Sequence, residues 1–399
     1  MARNLKAPVV VSPVFVNGTA FLSAFGARGE HCVAVASSPD VAGFRSRFAR
    51  EKVILKHRGA GGEFVEWLLS RRDLDGALVI PTGDEALGEL DARRDEVEAR
   101  FRVSIPPRRA CEVALDKSKL AQVCTENNIP IPRTAVAEVG GGRDAAALAG
   151  EVGSFPIVVK PSMGEDFHRL HRAKLLKAET LEQLSGMLAD CGSHGFSVIL
   201  QELLPGEGTG AYSAYITRGG EIAGEYSSRR IGLFPPRAGV GYFEVAEHIP
   251  EILTYGRRLI RAVGYRGALV NIDFKFDARA GGWRLLDLNA RSWRQITLAT
   301  LAGVPVFDML LADYAGKPVP KGGRIRYGCY WLHLKDALTI MRGFRKDAPP
   351  LRQYARMLAS PFVLALWHPA DPMPFLSDVA PMVLRRFRKS APIPHLPEI

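Results

Sequence analysis

Along the first third of the chain, apolar positions switch between two periods. "APVVVSPVF" (7–15), "HCVAVASS" (31–38) and "GALVIPTG" (76–83) are short, nearly continuous apolar runs of strand type. Between them, "GTAFLSAFGARG" (18–29) and "GEFVEWLLSRR" (62–72) space their apolar residues as helices do. Strands alternating with helices predict a parallel sheet covered on both faces, with its functional loops beyond the strands' carboxyl ends. "PTGDEAL" (81–87) lies at such an end.

The pattern changes after residue 112. Asp116 reads as the N-cap of a helix reaching about Glu126, and "NNIPIP" then forces an extended segment. "FPIVVKPS" (155–162) and "FSVILQELLPGEG" (196–208) read as buried strands. "GAYSAYIT" and "EIAGEYSSRR" read as a hairpin about Gly219-Gly220, and 251–265 as an amphipathic helix. "VNIDFKFD" (270–277) alternates strictly, with Asn271, Asp273, Lys275 and Asp277 on one face. Asp287, Asn289 and Arg291 share a face of the next strand, "RLLDLNARSW". With 278–282 as the loop, Asp277 pairs with Trp283, Lys275 with Leu285, and Asp273 with Asp287. Beyond Pro320 the chain reads as helical, basic and punctuated by proline.

Composition bounds these readings. A length of 399 residues predicts two to three domains, and 47% hydrophobic with 24% charged residues is an ordinary globular balance. No apolar run reaches the ~20 residues of a spanning helix, and the prolines at 8 and 13 argue against a leader peptide. Five scattered cysteines fit neither a zinc site nor a disulfide framework, and suggest a cytoplasmic protein. Of the net charge of +11, residues 321–399 supply +8, with 13 Lys/Arg against 5 Asp/Glu. That tail suggests peripheral contact with an anionic membrane or polymer, against a bland alternative of a helical cap with an exposed basic face. No motif supports specific nucleic-acid binding, and the oligomeric state is not legible.

Facing carboxylates at Asp273 and Asp287 need a cation between them. A salt-bridged strand face, with Arg291 or Lys275 as the cation, is the simplest answer. Asn289 favours another, because two carboxylates and an amide oxygen form an all-oxygen set suited to Mg²⁺, with Mn²⁺ as a substitute. Arg291 would then meet a phosphate or carboxylate as a planar fork.

"NIDFKFD…WRLLDLNAR" resembles the metal-binding end of the ATP-grasp superfamily, an acid on one strand and Glu-hydrophobic-Asn-Pro-Arg on the next. Asp287 stands for the glutamate and Ala290 for the proline. The resemblance spans about residues 8–320 and covers Asp116-Lys117 with "IPIP", the strand bearing Lys160, and "ILQELLPGE". It implies an α/β protein, α+β in its ATP-binding part: a pre-ATP-grasp Rossmann-like domain (1–112), a small (113–190) and a large (191–320) ATP-grasp subdomain, and a basic helical extension (321–399). By the same resemblance Lys117 and Lys160 bind ATP phosphates, and Gln201, Glu202 and the backbone of Leu203 receive adenine. Glu207 holds the ribose, Asp273, Asp287 and Asn289 bind metal, and Arg291 and Arg230 act on the reacting groups, Arg230 ahead of Arg229 and Arg237. "PSMGEDFHR" (161–169) would cover the phosphates, with His168 as a surface residue. The implied activity is ATP-dependent joining of a carboxylate to an amine through an acyl phosphate. The alternatives are a carboxyphosphate-forming enzyme and a non-catalytic ATP-binding protein. Thr82, Asp84 and Glu85 are candidates for choosing the substrates.

Overall fold

The computed structural model describes residues 5, 7–55, 62–163, 166–171, 173, 175–206, 208–236 and 239–384. Three sheets follow one another along the chain. The first is five-stranded and parallel, in the order β3-β2-β1-β4-β5, with β1 Val9–Ser12, β2 Cys32–Ala36, β3 Ala49–Ile54, β4 Leu78–Pro81 and β5 Arg102–Val103. β1, β2 and β4 are buried throughout, as a sheet covered on both faces requires. The sequence reading missed β3, whose "AREKVI" alternates buried and open positions at the sheet's edge. The strand order runs outward in both directions from β1, so the crevice beyond the carboxyl ends of β1 and β4 is where such a fold presents ligands.

The second sheet has four strands in the order β6-β9-β7-β8: β6 Thr134–Ala137, β7 Ile157–Pro161, β8 Leu176–Ala178 and β9 Val198–Glu202. It has a core of its own, built on Leu148, Val159, Phe167, Leu184 and Leu200. A boundary at 190/191 therefore cuts through this unit. β9 pairs with both β6 and β7, because its apolar side chains complete that core.

The third sheet has seven strands: β10 Thr209–Ile216, β11 Ile222–Phe234, β12 Val240–Ala246, β13 Ala268–Asp277, β14 Gly282–Asn289, β15 Tyr330–Leu332 and β16 Phe362–Leu364. Its order is β14-β13-β10-β11-β12-β15-β16, so the extension after residue 320 is not helical alone. Besides the helices Leu334–Gly343, Leu351–Leu358 and Met373–Leu384, it lays β15 against β12 and β16 beside β15. Buried Asp371 fastens it to the N-terminal domain, accepting hydrogen bonds from Ser23 Oγ (3.0 Å), Ser46 Oγ (2.5 Å) and the Arg47 N–H (3.0 Å). The helix Pro250–Ala262 packs its apolar stripe on the third sheet, continuous with the core of the parallel sheet.

The β13–β14 register carries the site. Asp273 does face Asp287, but Asp277 pairs with Gly282, Phe276 with Trp283 and Lys275 with Arg284. The loop is one residue shorter than expected, and a bulge between the Phe274–Leu285 and Asp273–Asp287 pairs restores the offset. "RLLDL" carries the signal, since Leu285 and Leu286 in succession break the alternation.

Candidate active site

On one face of the third sheet, ladder partners set polar residues in rows. Lys275, Thr209, Arg230 and Glu244 form one row, crossing β13, β10, β11 and β12. Asp287 and Asp273 lie in the next, Asn289 and Asn271 beyond. Arg230 donates from Nη2 to Asp273 Oδ1, and its Nε lies 3.7 Å from Glu244 Oε2. Glu244 is 1% exposed and accepts from Ser228 Oγ at 2.5 Å. Burial pushes its carboxyl above the usual range while Arg230 pulls it down. For Arg230, burial disfavours the charge, but Asp273 and Glu244 outweigh it and keep the guanidinium firmly charged. Sequence reasoning missed Glu244. Its signal was a lone acid inside the apolar strand "VGYFEVA", which demands a buried cation.

The proposed metal ligands sit together. Asn289 Nδ2 lies 3.5 Å from Asp273 Oδ2, and Asn289 Oδ1 accepts from Arg291 Nη2 at 3.2 Å. Burial raises the Asp287 carboxyl pKa; Asp273 and Asp84 add to this, whereas Lys117 and Lys160 lower it. Among the described residues no three His, Cys, Asp or Glu side chains form a metal-holding group. The donor set here is two carboxylates and an amide, which fits an ion that takes one or two carboxylates plus substrate phosphates. Glu244 Oε2 and Arg230 Nε, buried without hydrogen-bond partners, sit beside it.

Arg291 does not point its fork at open space. Its Nε and Nη2 bond Asp84 Oδ1 and Oδ2 at 2.8 and 2.7 Å, and Nη1 bonds the Ser292 carbonyl at 3.0 Å. Asp84 opens the helix Asp84–Ala92, beyond the carboxyl end of β4. Buried Asn17, also missed, bonds the carbonyls of Thr82 (2.9 Å) and Ser292 (3.3 Å) and so ties that loop to the end of β14. Two polar groups, Asp84 and Asn17, thus bring the N-terminal domain to the acid–amide face.

The second sheet brings the lysines. Lys160, near the end of β7, donates to Gln201 Oε1 at 2.8 Å. Burial pushes its pKa down to about 8, Asp287 opposes this, and Lys117 and Lys275 add to it. Lys117 is the first residue of the helix Lys117–Glu126, capped by Asp116, whose Oδ1 accepts from the N–H groups of Ser118 (2.9 Å) and Lys119 (3.3 Å). Its N–H bonds the Ser162 carbonyl at 2.9 Å, which holds the helix start against the end of β7.

Both side chains expected at the adenine edge have partners within the protein. Gln201 is spent on Lys160 and on Thr134 Oγ1 (3.0 Å). The Glu202 carboxylate accepts from the Arg133 N–H (2.8 Å) and from Arg279 Nη2 (2.7 Å). Burial opposes its charge, but these bonds hold it below its usual pKa. Glu202 therefore joins the second sheet to the β13–β14 loop. Leu203 is exposed, and its backbone follows β9 directly. Glu207 and Arg237 lie outside the described residues, as does the His168 side chain. Arg229 is paired with Glu247 at 2.7 Å, away from this cluster. The segment 161–169 includes the start of a short helix, Asp166–His171.

A parallel N-terminal sheet, a four-stranded sheet bearing a lysine and a larger sheet bearing an acid–amide face define an α/β protein. The arrangement is the ATP-grasp fold. It is shared by the N5-carboxyaminoimidazole synthetase of Staphylococcus aureus, solved with ADP (TM-score 0.65, 11% identity, 86% of each chain). It is shared also by the biotin carboxylase domain of the Hydrogenobacter thermophilus 2-oxoglutarate carboxylase, solved with MgADP, ADP and bicarbonate (TM-score 0.62, 15% identity, 81% of this chain and 73% of that one). In sequence, the chain is 22% identical over 250 residues to the D-aspartate ligase of Enterococcus faecium (strain Aus0004). That match takes in 59% of this chain and 58% of the ligase, under two thirds of the relative's length. No protein-family model matches the chain.

Proposed function

We propose that the protein is an ATP-dependent ligase that activates a carboxylate as an acyl phosphate and joins it to an amine, releasing ADP and phosphate. The supporting observation is the convergence of Lys160 and Lys117 on the Asp273–Asp287–Asn289 face, beside Arg230 and Arg291. The D-aspartate ligase similarity supports carbon–nitrogen bond formation, and the solved complexes with ADP and MgADP support ATP with magnesium. Lys117 and Lys160 hold the triphosphate, and the backbone at Leu203 meets the adenine edge. Asp273, Asp287 and Asn289 are the ligands for Mg²⁺, which when bound neutralises charge on the phosphates; Mn²⁺ can substitute. The substrate carboxylate oxygen attacks the γ-phosphorus as ADP leaves. The amine nitrogen then attacks the acyl carbon, losing a proton as phosphate departs. Arg230 orients the carboxylate. Arg291 meets the transferred phosphoryl group by exchanging Asp84 for it, since its fork now lies on that carboxylate.

The test is ADP release across a panel of acids with hydroxylamine, which traps an acyl phosphate as hydroxamate. ADP release that requires bicarbonate instead would favour carboxyphosphate formation. Nucleotide binding without turnover would favour a regulatory protein.

A second reading concerns the extension. In the helix Leu351–Leu358, Tyr354 and Met357 face the core, yet Leu351 (74% exposed), Ala355 and Leu358 (67%) form an outward apolar stripe flanked by exposed Arg352 and Arg356. That pattern supports peripheral contact with an anionic bilayer. Among the described residues no helix is long and apolar enough to cross a membrane. Binding to phosphatidylglycerol vesicles at low salt, lost in Leu351→Asp/Leu358→Asp, tests it.

A further inference from the structure

A second recess lies where three distant segments meet. Its volume is about 670 Å³, inside the ~300–1,000 Å³ range of small-molecule sites. One wall is the helix Val16–Gly26, through Ala20 and Ala24; another is the helix Ile296–Leu301; the third is β16 with the turn after it. Phe307, Phe362 and Trp367 give it aromatic surfaces. None of the described residues that line it is an acid.

Three arginines line it, and they differ. Arg28 is neutralised by Asp308, Nε to Oδ1 at 2.6 Å and Nη2 to Oδ2 at 2.8 Å. Arg324 and Arg326 are exposed, and their guanidinium groups make no hydrogen bond or ion pair among the described residues. Two uncompensated cations beside apolar walls select for a ligand that is apolar at one end and anionic at the other.

The backbone adds an independent observation. Leu366 has φ +64°, one of two non-glycine residues in the left-handed region among those described. A branched side chain is disfavoured there, and such conformations persist where the surroundings over-determine them, often at ligand sites. Leu366 is nearly buried, while the next residue, Trp367, is 44% exposed at the recess and meets Phe375 edge-on at 5.4 Å. The turn thus places a large aromatic face partly in solvent.

We propose that this recess binds an amphipathic organic anion, with an aryl or acyl body against Phe307, Phe362 and Trp367 and a carboxylate or phosphate head on Arg324 and Arg326. Its lining shares no residue with the acid–amide face, and the proposal does not depend on the ligase reading. A free amphiphile and a lipid share this chemistry.

The experiment titrates the full chain with 8-anilinonaphthalene-1-sulfonate, a fluorescent amphipathic anion. One saturable site is expected, emptied by dodecanoate or dodecyl phosphate. Arg324→Glu/Arg326→Glu should weaken it about tenfold or more, the scale of losing charge-assisted bonds, and Trp367→Ala should weaken it too. ATP affinity should be unchanged in both variants. Displacement by monomeric dodecyl phosphate but not by phosphatidylglycerol vesicles assigns a free ligand; displacement by vesicles assigns a lipid, and each supports the site. Probe binding equal in wild type and both variants would overturn it. So would equally tight binding of the neutral N-phenyl-1-naphthylamine.

Discussion

The parallel sheet and the β13–β14 hairpin use strands in opposite ways. β1, β2 and β4 are closed on both faces, so no ionisable group except a cysteine thiol sits within them. Their polar chemistry is pushed past their ends, to Thr82 and Asp84. The hairpin buries one face and leaves the other half-open, so Asp273, Lys275 and Asp287 can sit within the strands and Asn289 at the end of β14. A charge is tolerable there because each has an opposite charge or a hydrogen bond nearby, and water or a ligand on its open side.

The sharpest way to break the comparison is to move a carboxylate from one setting to the other. Val79→Asp in β4 places an unpaired charge where exposure is 0%. It should cost at least ~4 kcal/mol and yield no cooperatively folded protein by circular dichroism and thermal melting. Asp287→Ala removes a carboxylate from the hairpin instead. It should melt within a few degrees of wild type, yet lose about 10²–10³-fold in ADP release. Unimpaired turnover in that variant would refute the metal-ligand assignment.

Lys160 gives a graded test. Its folded pKa of about 8 lies below its ordinary 10.5. Burial therefore disfavours its charged form, and the associated loss of stability is relieved as pH rises from about 8 to 10.5. Nucleotide binding runs the other way, because the charged lysine that favours phosphate is lost above about 8. ATP affinity in the absence of other changes should fall up to about tenfold per unit of pH there. Lys160→Arg should flatten that profile, since a guanidinium stays charged. The same slope in wild type and variant would show that Lys160 does not face the phosphates.

Much of this contrast was legible in the sequence, and the exceptions have causes. Continuous apolar runs gave β1, β2 and β4, whereas β3 and β5 are edge strands too open or too short to stand out. The Asp273–Asp287 pair was found despite a loop one residue too long, because an unread bulge cancelled the error. The partners of Glu202 and Gln201, namely Arg133, Arg279 and Lys160, are distant in sequence, so only folding shows those contacts. Asp84 was one of three candidates in a polar loop; what singles it out is Arg291, 207 residues away. The extension's strands were hidden because β15 and β16 are three residues each, β15 taking its register from β12 and β16 from β15.

Asp84 supplies the smallest effect and the finest distinction. It is 45% exposed on its side chain, so removing it leaves no large cavity. Asp84→Asn keeps the shape but weakens the fork on Arg291, an interaction worth roughly 1 kcal/mol at such exposure. Stability should therefore change by a degree or two. If Arg291 must exchange Asp84 for the phosphoryl group, releasing that fork should ease the exchange and leave kcat equal or slightly raised. If Asp84 instead holds Arg291 in its working position, kcat should fall with KM for ATP little changed. Steady-state kinetics of Asp84→Asn beside Arg291→Lys, which loses the planar fork altogether, separates the two: a drop in kcat in both variants would sink the exchange.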